Sequence, residues 1–454
     1  MDRHTTTGKL FGLTAISRLL IASRWTAPHQ PQNQGMRPTK TRRGHGWILG
    51  SLLMLSLSAV SASADVVTDW NAITQTVIGA GSRPTPTPSL DFAIVHIAVH
   101  DAIQAFQHRF ETYNAPIVGA AGSPVAAAAR AARDVLVTRF PAQSVSIEAT
   151  YQNYLTANGL LATDAGVLVG QQAALNIITR RMNDGSFPLN PEVFIGGTAP
   201  GQWRPTPPAF APMSAPWFGA IKPLALPDSP GLLPEPPPPP LRSGAYAKAY
   251  NEVKALGARV NSTRTPEQTD LAYFYSDNPF YLLNRTVREI AAAHLTDIGD
   301  SARLFALANS AGVDALISAW DVKRESFFWR PSTAILNGDH DGNPRTTGDP
   351  TWLPLINDPP YPDYTSGVNS ITSAFMRTLK LFFRKDVFTF SVTSAAPQVV
   401  QKTRTYSRFS DVSADVVEAR MLLGIHFRFA DTVARRQGQQ AADWTFCHIL
   451  RPIH

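Results

Sequence analysis

The stretch DSARLFALANSAGVDALISAWDVK, Asp300–Lys323, decides the fold class. It contains no proline, and apolar or small side chains cover nearly every face of a 3.6-residue turn. It is also far longer than an ordinary strand. Such a stretch reads as one long helix, buried on most of its faces.

The same spacing recurs outward from it. Ile94, Ala98, Ala102 and Phe106 stand four apart in a helix expected over Leu90–Phe106, with His96, His100 and Asp101 interleaved. Ala-rich helices are expected near 124–139 and 161–183. After residue 244 helices resume, and Thr265-Pro266-Glu267-Gln268 supplies the cap, first-turn proline and returning glutamine of a helix start. Alternating strand patterns are scarce, so the chain is expected to be all-α, a large helical-bundle protein. With 454 residues and 44% apolar content it can bury a large core.

Between the helical regions, residues 201–243 change character. The run Pro236–Pro240 cannot continue a helix and favours extended polyproline conformation. Trp203, Phe210, Trp217 and Phe218 are costly to leave exposed, so an arm wrapped over the surface is expected rather than an open linker. The expected division is an N-terminal extension over 1–64, an N-terminal helical part over 65–200, the Pro-rich arm over 201–243, and a C-terminal helical part over 244–454.

The formal charge of +7 comes from the extension alone. Of 41 Lys+Arg and 34 Asp+Glu, residues 1–64 hold eight bases and one acid, leaving 33 of each in the remainder. A nucleic-acid-binding surface is therefore not expected. Within the extension, Arg37, Lys40, Arg42 and Arg43 precede an apolar run from Trp47 to Val60 that closes on Ala62-Ser63-Ala64. This is the layout of a secretory signal, too short for a membrane anchor, with cleavage expected before Asp65. Met36 starts a signal of ordinary length. The single cysteine, Cys447, excludes an intramolecular disulfide and reads as a small buried apolar residue.

Three segments carry candidate chemistry. In Trp320–Pro331, Lys323 and Arg330 are seven residues apart, which on one helix places both cations on nearly the same face before Pro331 ends it. Trp320, Phe327, Phe328 and Trp329 would desolvate them, an expensive arrangement without an anion; a solvated basic face is the alternative. In Pro359–Ser370, a proline-stiffened loop delivers Ser366 and Gly367 to a helix N-terminus, suited to an oxyanion but equally to an ordinary cap. In Glu418–Asp431, Arg420 and His426 lie in an apolar run at a spacing that shares no helix face. Gly424 or a helix end must bring them together, and a histidine satisfied within the core is the plainer reading.

Together the segments resemble the tripartite signature of the vanadium-dependent haloperoxidases and the related type-2 phosphatidic acid phosphatases: Lys-x6-Arg-Pro, Pro-Ser-Gly-His and Ser-Arg-x5-His. Lys323 to Pro331 matches the first block, Ser366-Gly367 the middle of the second, and Arg420 with His426 the third. The resemblance implies a paired four-helix-bundle architecture and a pocket for vanadate, or for phosphate in the same place. Lys323, Arg330 and Arg420 would surround the equatorial oxygens, and Ser366 and the Gly367 N–H would donate further hydrogen bonds. His426 would be the metal ligand, or the nucleophile of a phosphatase. Trp320 and Tyr361 would lie near a halide site.

The sequence departs from the signature at three positions. Thr365 replaces a proline, Ala419 replaces the serine before Arg420, and Val368 stands where the acid–base histidine belongs. Valine moves no proton. It extends the stripe Ile371, Phe375, Leu379 and Phe382 and so reads as packing. His100, His340 and Asp363 are the substitutes that chemistry alone suggests.

The leading expectation is an exported haloperoxidase-like enzyme acting on hydrogen peroxide and halide, with turnover reduced by Val368. A phosphatase acting on a phosphate ester through His426 comes second, and an inactive oxyanion-binding homologue third. N-terminal sequencing of the exported protein is expected to start at Asp65; a product retaining Trp47–Val60 would contradict the signal reading.

Overall fold

The computed structural model describes residues 65–228, 233 and 235–453; the basic leader and its apolar run lie outside the described residues. Five helices precede the Pro-rich segment: α1 (Val66–Ala80), α2 (Pro88–Gln107), α3 (Pro124–Arg139), α4 (Ser144–Ala157) and α5 (Gly166–Arg181). Eight follow it: α6 (Gly244–Leu256), α7 (Pro266–Phe274), α8 (Pro279–His294), α9 (Ile298–Ser326), α10 (Pro331–Leu336), α11 (Gly367–Phe382), α12 (Phe409–Leu422) and α13 (Arg428–His448). One antiparallel hairpin, β1 (Val387–Thr393) with β2 (Thr403–Arg408), is the one sheet among the described residues. The molecule is all-α and built of helical bundles.

The long helix read from the sequence is α9, extended by two residues before Asp300 and three beyond Lys323. Asp297 starts it by accepting from the Gly299 and Asp300 amides. Because Ala, Leu and Gly cover most of its faces, it serves two helical groups at once. On one side it packs on α2, which joins α3 and α5; on the other it packs on α11 and α13. At Thr265 the expected capping box is present, with Thr265 and Gln268 each bonding the other's backbone amide.

The proline-rich segment has one short 3-10 turn, Phe218–Ala220, and its route is fixed by backbone hydrogen bonds. Asp314 of α9 accepts from the Leu224, Ala225 and Leu226 amides at 2.7–2.8 Å. Earlier, Trp203 N–H donates to Phe327 O and Trp329 N–H to Gly201 O, so the segment braces the chain just after α9. Trp203 and Phe218 are fully buried and Trp217 half-buried, but Phe210 is 63% exposed, against expectation. It stands on the wall of a cleft between this segment and residues 350–358 instead of over the helices.

Three further expectations are corrected. Pro331 does not end the helix carrying Lys323: α9 stops at Ser326, Phe327 takes a left-handed φ of 28°, and Pro331 is the first residue of α10. Lys323 and Arg330 therefore belong to different elements. Cys447 is exposed, because α13 turns that face outward near its end. The hairpin has no counterpart in the sequence reading. Its strands are short, and it docks on α8 and α12 with the Tyr275 and Tyr406 hydroxyls bonded at 2.7 Å.

Gly424 makes the turn that the spacing of Arg420 and His426 requires. It follows α12 at φ 79°, and a β-carbon there would fall 2.4 Å from the Gly257 carbonyl oxygen. Both the backbone conformation and the close approach demand glycine. Gly424→Ala is expected to destabilise the protein by about 1–3 kcal/mol in urea unfolding; an unchanged midpoint would contradict this account of the turn.

Candidate functional site

The end of α9, the segment leading into α10, the loop before α11 and the turn between α12 and α13 converge on one buried place. Lys323, Arg330, Ser366 and His426 are each wholly buried, Gly367 is buried, and Arg420 is 6% exposed. The six residues selected from sequence are thus brought together by four separate elements.

The cations are held by carbonyls and aromatic faces more than by acids. Lys323 Nζ donates to Pro362 O at 2.6 Å and Asp363 O at 3.0 Å, and lies 5.0 Å from the centre of the Tyr361 ring. Arg330 Nε donates to Tyr361 O at 2.8 Å, Nη1 donates to Ile425 O at 2.6 Å, and the guanidinium sits over the same ring. Among the described residues Arg420 Nη1 reaches only the Tyr275 carbonyl, at 3.4 Å. Burial, then the charge of Arg330, pushes the Lys323 ammonium well below its usual range, and burial lowers Arg420 as well. Two buried donors, Arg330 Nη2 and Arg420 Nε, have no hydrogen-bond partner among the described residues. A buried donor without an acceptor costs about 1–3 kcal/mol, more when charged, so this donor set fits an oxyanion.

His426 is oriented by a carboxylate. Its Nδ1 lies 2.7 Å from Asp363 Oδ1, which assigns the proton to Nδ1 and leaves the lone pair on Nε2, which accepts from Arg330 Nη1 at 3.2 Å. Burial and the three neighbouring cations, Arg330 first, hold its pKa well below the usual histidine value. A neutral imidazole with one unprotonated nitrogen is what a metal ligand or nucleophile requires. Burial pushes Asp363 up to about 7, with Arg330 and Lys323 pulling the other way.

Ser366 precedes α11 without capping it, and its hydroxyl oxygen accepts from Asn369 Nδ2 at 3.3 Å. The amides of Gly367, Val368 and Asn369 open the helix and have no partner within it. Glycine at 367 is a packing requirement, since a β-carbon there would lie 2.7 Å from Trp320 Cζ3. Trp320, Tyr361, Gly367, Val368 and Arg420 line one cavity of about 230 Å³. Val368 is half-buried on its wall, so it packs against the core as expected and also faces this space.

No histidine lines that cavity among the described residues. Of the three candidates for the missing proton carrier, His100 is buried in α2 with Nε2 3.0 Å from Glu111 O, and His340 is exposed beyond α10. Only Asp363 is at the site. Sequence reasoning gave no role to Asp431, buried in the first turn of α13, which accepts from Asn369 Nδ2 at 2.8 Å. Its carboxyl is raised well above the usual range by burial, and Oδ2 has no partner. An acid inside the apolar run after His426 was its only signal.

Comparison with known proteins bears on the fold. Residues 303–454 match the family model of the VCPO second helical-bundle domain. The vanadium chloroperoxidase of Curvularia inaequalis is 31% identical over an aligned region covering 40% of this chain, and that region spans 34% of the curated relative's length. Among solved structures, a bacterial vanadium-dependent iodoperoxidase superposes with a TM-score of 0.72 at 22% identity, over 85% of this chain and 97% of that one. An apo-type bacterial vanadium-dependent chloroperoxidase gives 0.63 at 19% identity, over 79% and 92%. The chain has the fold of the vanadium haloperoxidases, and the resemblance read from the three segments is borne out.

Asp363 makes stability depend on pH in a definite direction. Its folded pKa is raised, so its contribution is complete below the unfolded carboxylate value near 4 and is lost as pH rises through about 7. In urea unfolding without added anion, the parent protein is expected to lose more stability between pH 5 and pH 8 than Asp363→Asn. Equal losses would contradict the assignment.

Proposed function

We propose that Lys323, Arg330, Arg420 and His426 hold vanadate, with phosphate as an alternative occupant, and that the protein is an exported haloperoxidase-like enzyme oxidising halide with hydrogen peroxide. The observation that carries this reading is the pair of unpartnered buried donors, Arg330 Nη2 and Arg420 Nε, beside a histidine whose Nε2 keeps its lone pair. When bound, vanadate supplies the Lewis-acidic centre at which peroxide becomes reactive toward halide. Similarity to a chloroperoxidase and an iodoperoxidase supports the halide chemistry.

The chain's own residues divide the remaining work. The three cations offset the oxyanion's charge in a water-poor setting, where fixed donors need no reorganisation. The His426 nitrogen is the protein ligand, and Asp363 fixes the ring. Ser366 and the Gly367 amide add donors at the positive end of α11. Trp320 and Tyr361, with ring centres 5.0 Å apart, form the apolar wall along which a halide would approach. Val368 faces the same cavity without a proton to give, so turnover is reduced. Export rests on the basic leader, apolar run and Ala62-Ser63-Ala64 site.

A phosphatase reading is favoured by one feature, the carboxylate-oriented His426, because a neutral imidazole held this way is equally a nucleophile toward a phosphate ester. The two activities are separated by assaying vanadate-loaded protein for peroxide-dependent halide oxidation and vanadate-free protein for aryl phosphate hydrolysis. In the first assay Val368→His is expected to raise the rate about 10²-fold or more, by placing an acid–base group on the cavity wall. A folded histidine variant that binds vanadate and gains in neither assay would leave oxyanion binding without catalysis as the function.

A further inference from the structure

A second cleft, of about 780 Å³, opens between the proline-rich segment, α10 and residues 350–358. Its size falls in the range of small-molecule sites. Its apolar side chains remain open to solvent: Phe210 is 63% exposed, Leu336 56% and Leu353 50%, while Trp352 forms part of the wall. Large apolar side chains gathered on one concave surface are unusual for a protein exterior without a ligand.

Two guanidinium groups line this apolar space, and neither forms an ion pair among the described residues. Arg204 Nη2 donates to the Ala199 carbonyl, and its buried Nε has no partner. Arg259 donates to Pro354 O and to Asn357 Oδ1, both at 3.1 Å. The carboxyl on the wall, Asp358, accepts from the Ser332 hydroxyl at Oδ2, while its buried Oδ1 has no partner among the described residues. The half-buried Arg204 and the exposed Arg259 beside an apolar wall favour a carboxylate, whose two oxygens match their planar donors.

We infer that this cleft binds a flat apolar monocarboxylate, its ring or chain against Phe210, Trp352 and Leu353 and its carboxylate against Arg204 and Arg259. The inference does not depend on the oxyanion site, whose three cations do not line the cleft. Titration calorimetry of the purified protein with 2-naphthoate tests it, with 2-naphthalenemethanol as the neutral analogue. Naphthoate is expected to bind at least about tenfold more tightly than the alcohol. Arg204→Gln combined with Arg259→Gln should remove that preference. Leu353→Glu, on an exposed wall position where folding is not at stake, should weaken naphthoate by a similar factor. Excess inorganic phosphate should leave naphthoate binding unchanged. No binding, equal binding of acid and alcohol, indifference to both sets of substitutions, or displacement by phosphate would each overturn the assignment, the last by placing naphthoate in the oxyanion site.

Discussion

Three cations buried together, with a single ion pair among them in the described residues, set the constraint that the rest of the architecture serves. Removing a charge from water is expensive unless partners replace the lost hydration. Here carbonyl oxygens from residues 361–363 and Ile425 replace part of it for Lys323 and Arg330. Asp363 Oδ1 stands 3.9 Å from Arg330 Nη1, an ion pair already shared with His426. What remains is a set of donors oriented in advance, the arrangement that binds an oxyanion without reorganisation.

Several structural devices follow from that constraint. The end of α9 at Ser326 and the left-handed Phe327 let Arg330 approach from a separate strand of chain, while the proline-rich segment braces that strand through Trp203 and Trp329. Gly424 reverses the chain so that Arg420 and His426 face one space. Gly367 lets the Trp320 ring lie against the first turn of α11. Each device is local, and each brings a different element's side chain to a common place. Val368 is the exception, keeping the packing of its helix stripe and giving up the proton transfer that position could supply.

Much of this was legible in the sequence. The long helix could be read because its apolar content has no preferred face, and the Thr265 capping box because its chemistry is entirely local. The six site residues could be read from three motifs, and the motif spacing also required a turn near Gly424. What could not be read depended on tertiary partners. Seven-residue spacing suggested one helix for Lys323 and Arg330, whereas Phe327 breaks it in a conformation that propensity does not foresee. Asp363 could be named as an acid near the site but not as the partner of His426, since their contact spans 63 residues. Asp431 carried no motif at all. Phe210 was expected to be covered, because large aromatics usually are, and its exposure is visible only once the cleft around it exists.

The central claim is that the buried guanidiniums are aimed at an anion and not at one another's surroundings. Equilibrium titration of vanadate into the parent protein, Arg330→Gln and Arg420→Gln, with unfolding curves confirming that each variant folds, tests it most directly. The account predicts that each substitution weakens vanadate by about 1.5–3 kcal/mol, the worth of a charge-assisted contact. Unchanged affinity in both folded variants would contradict it.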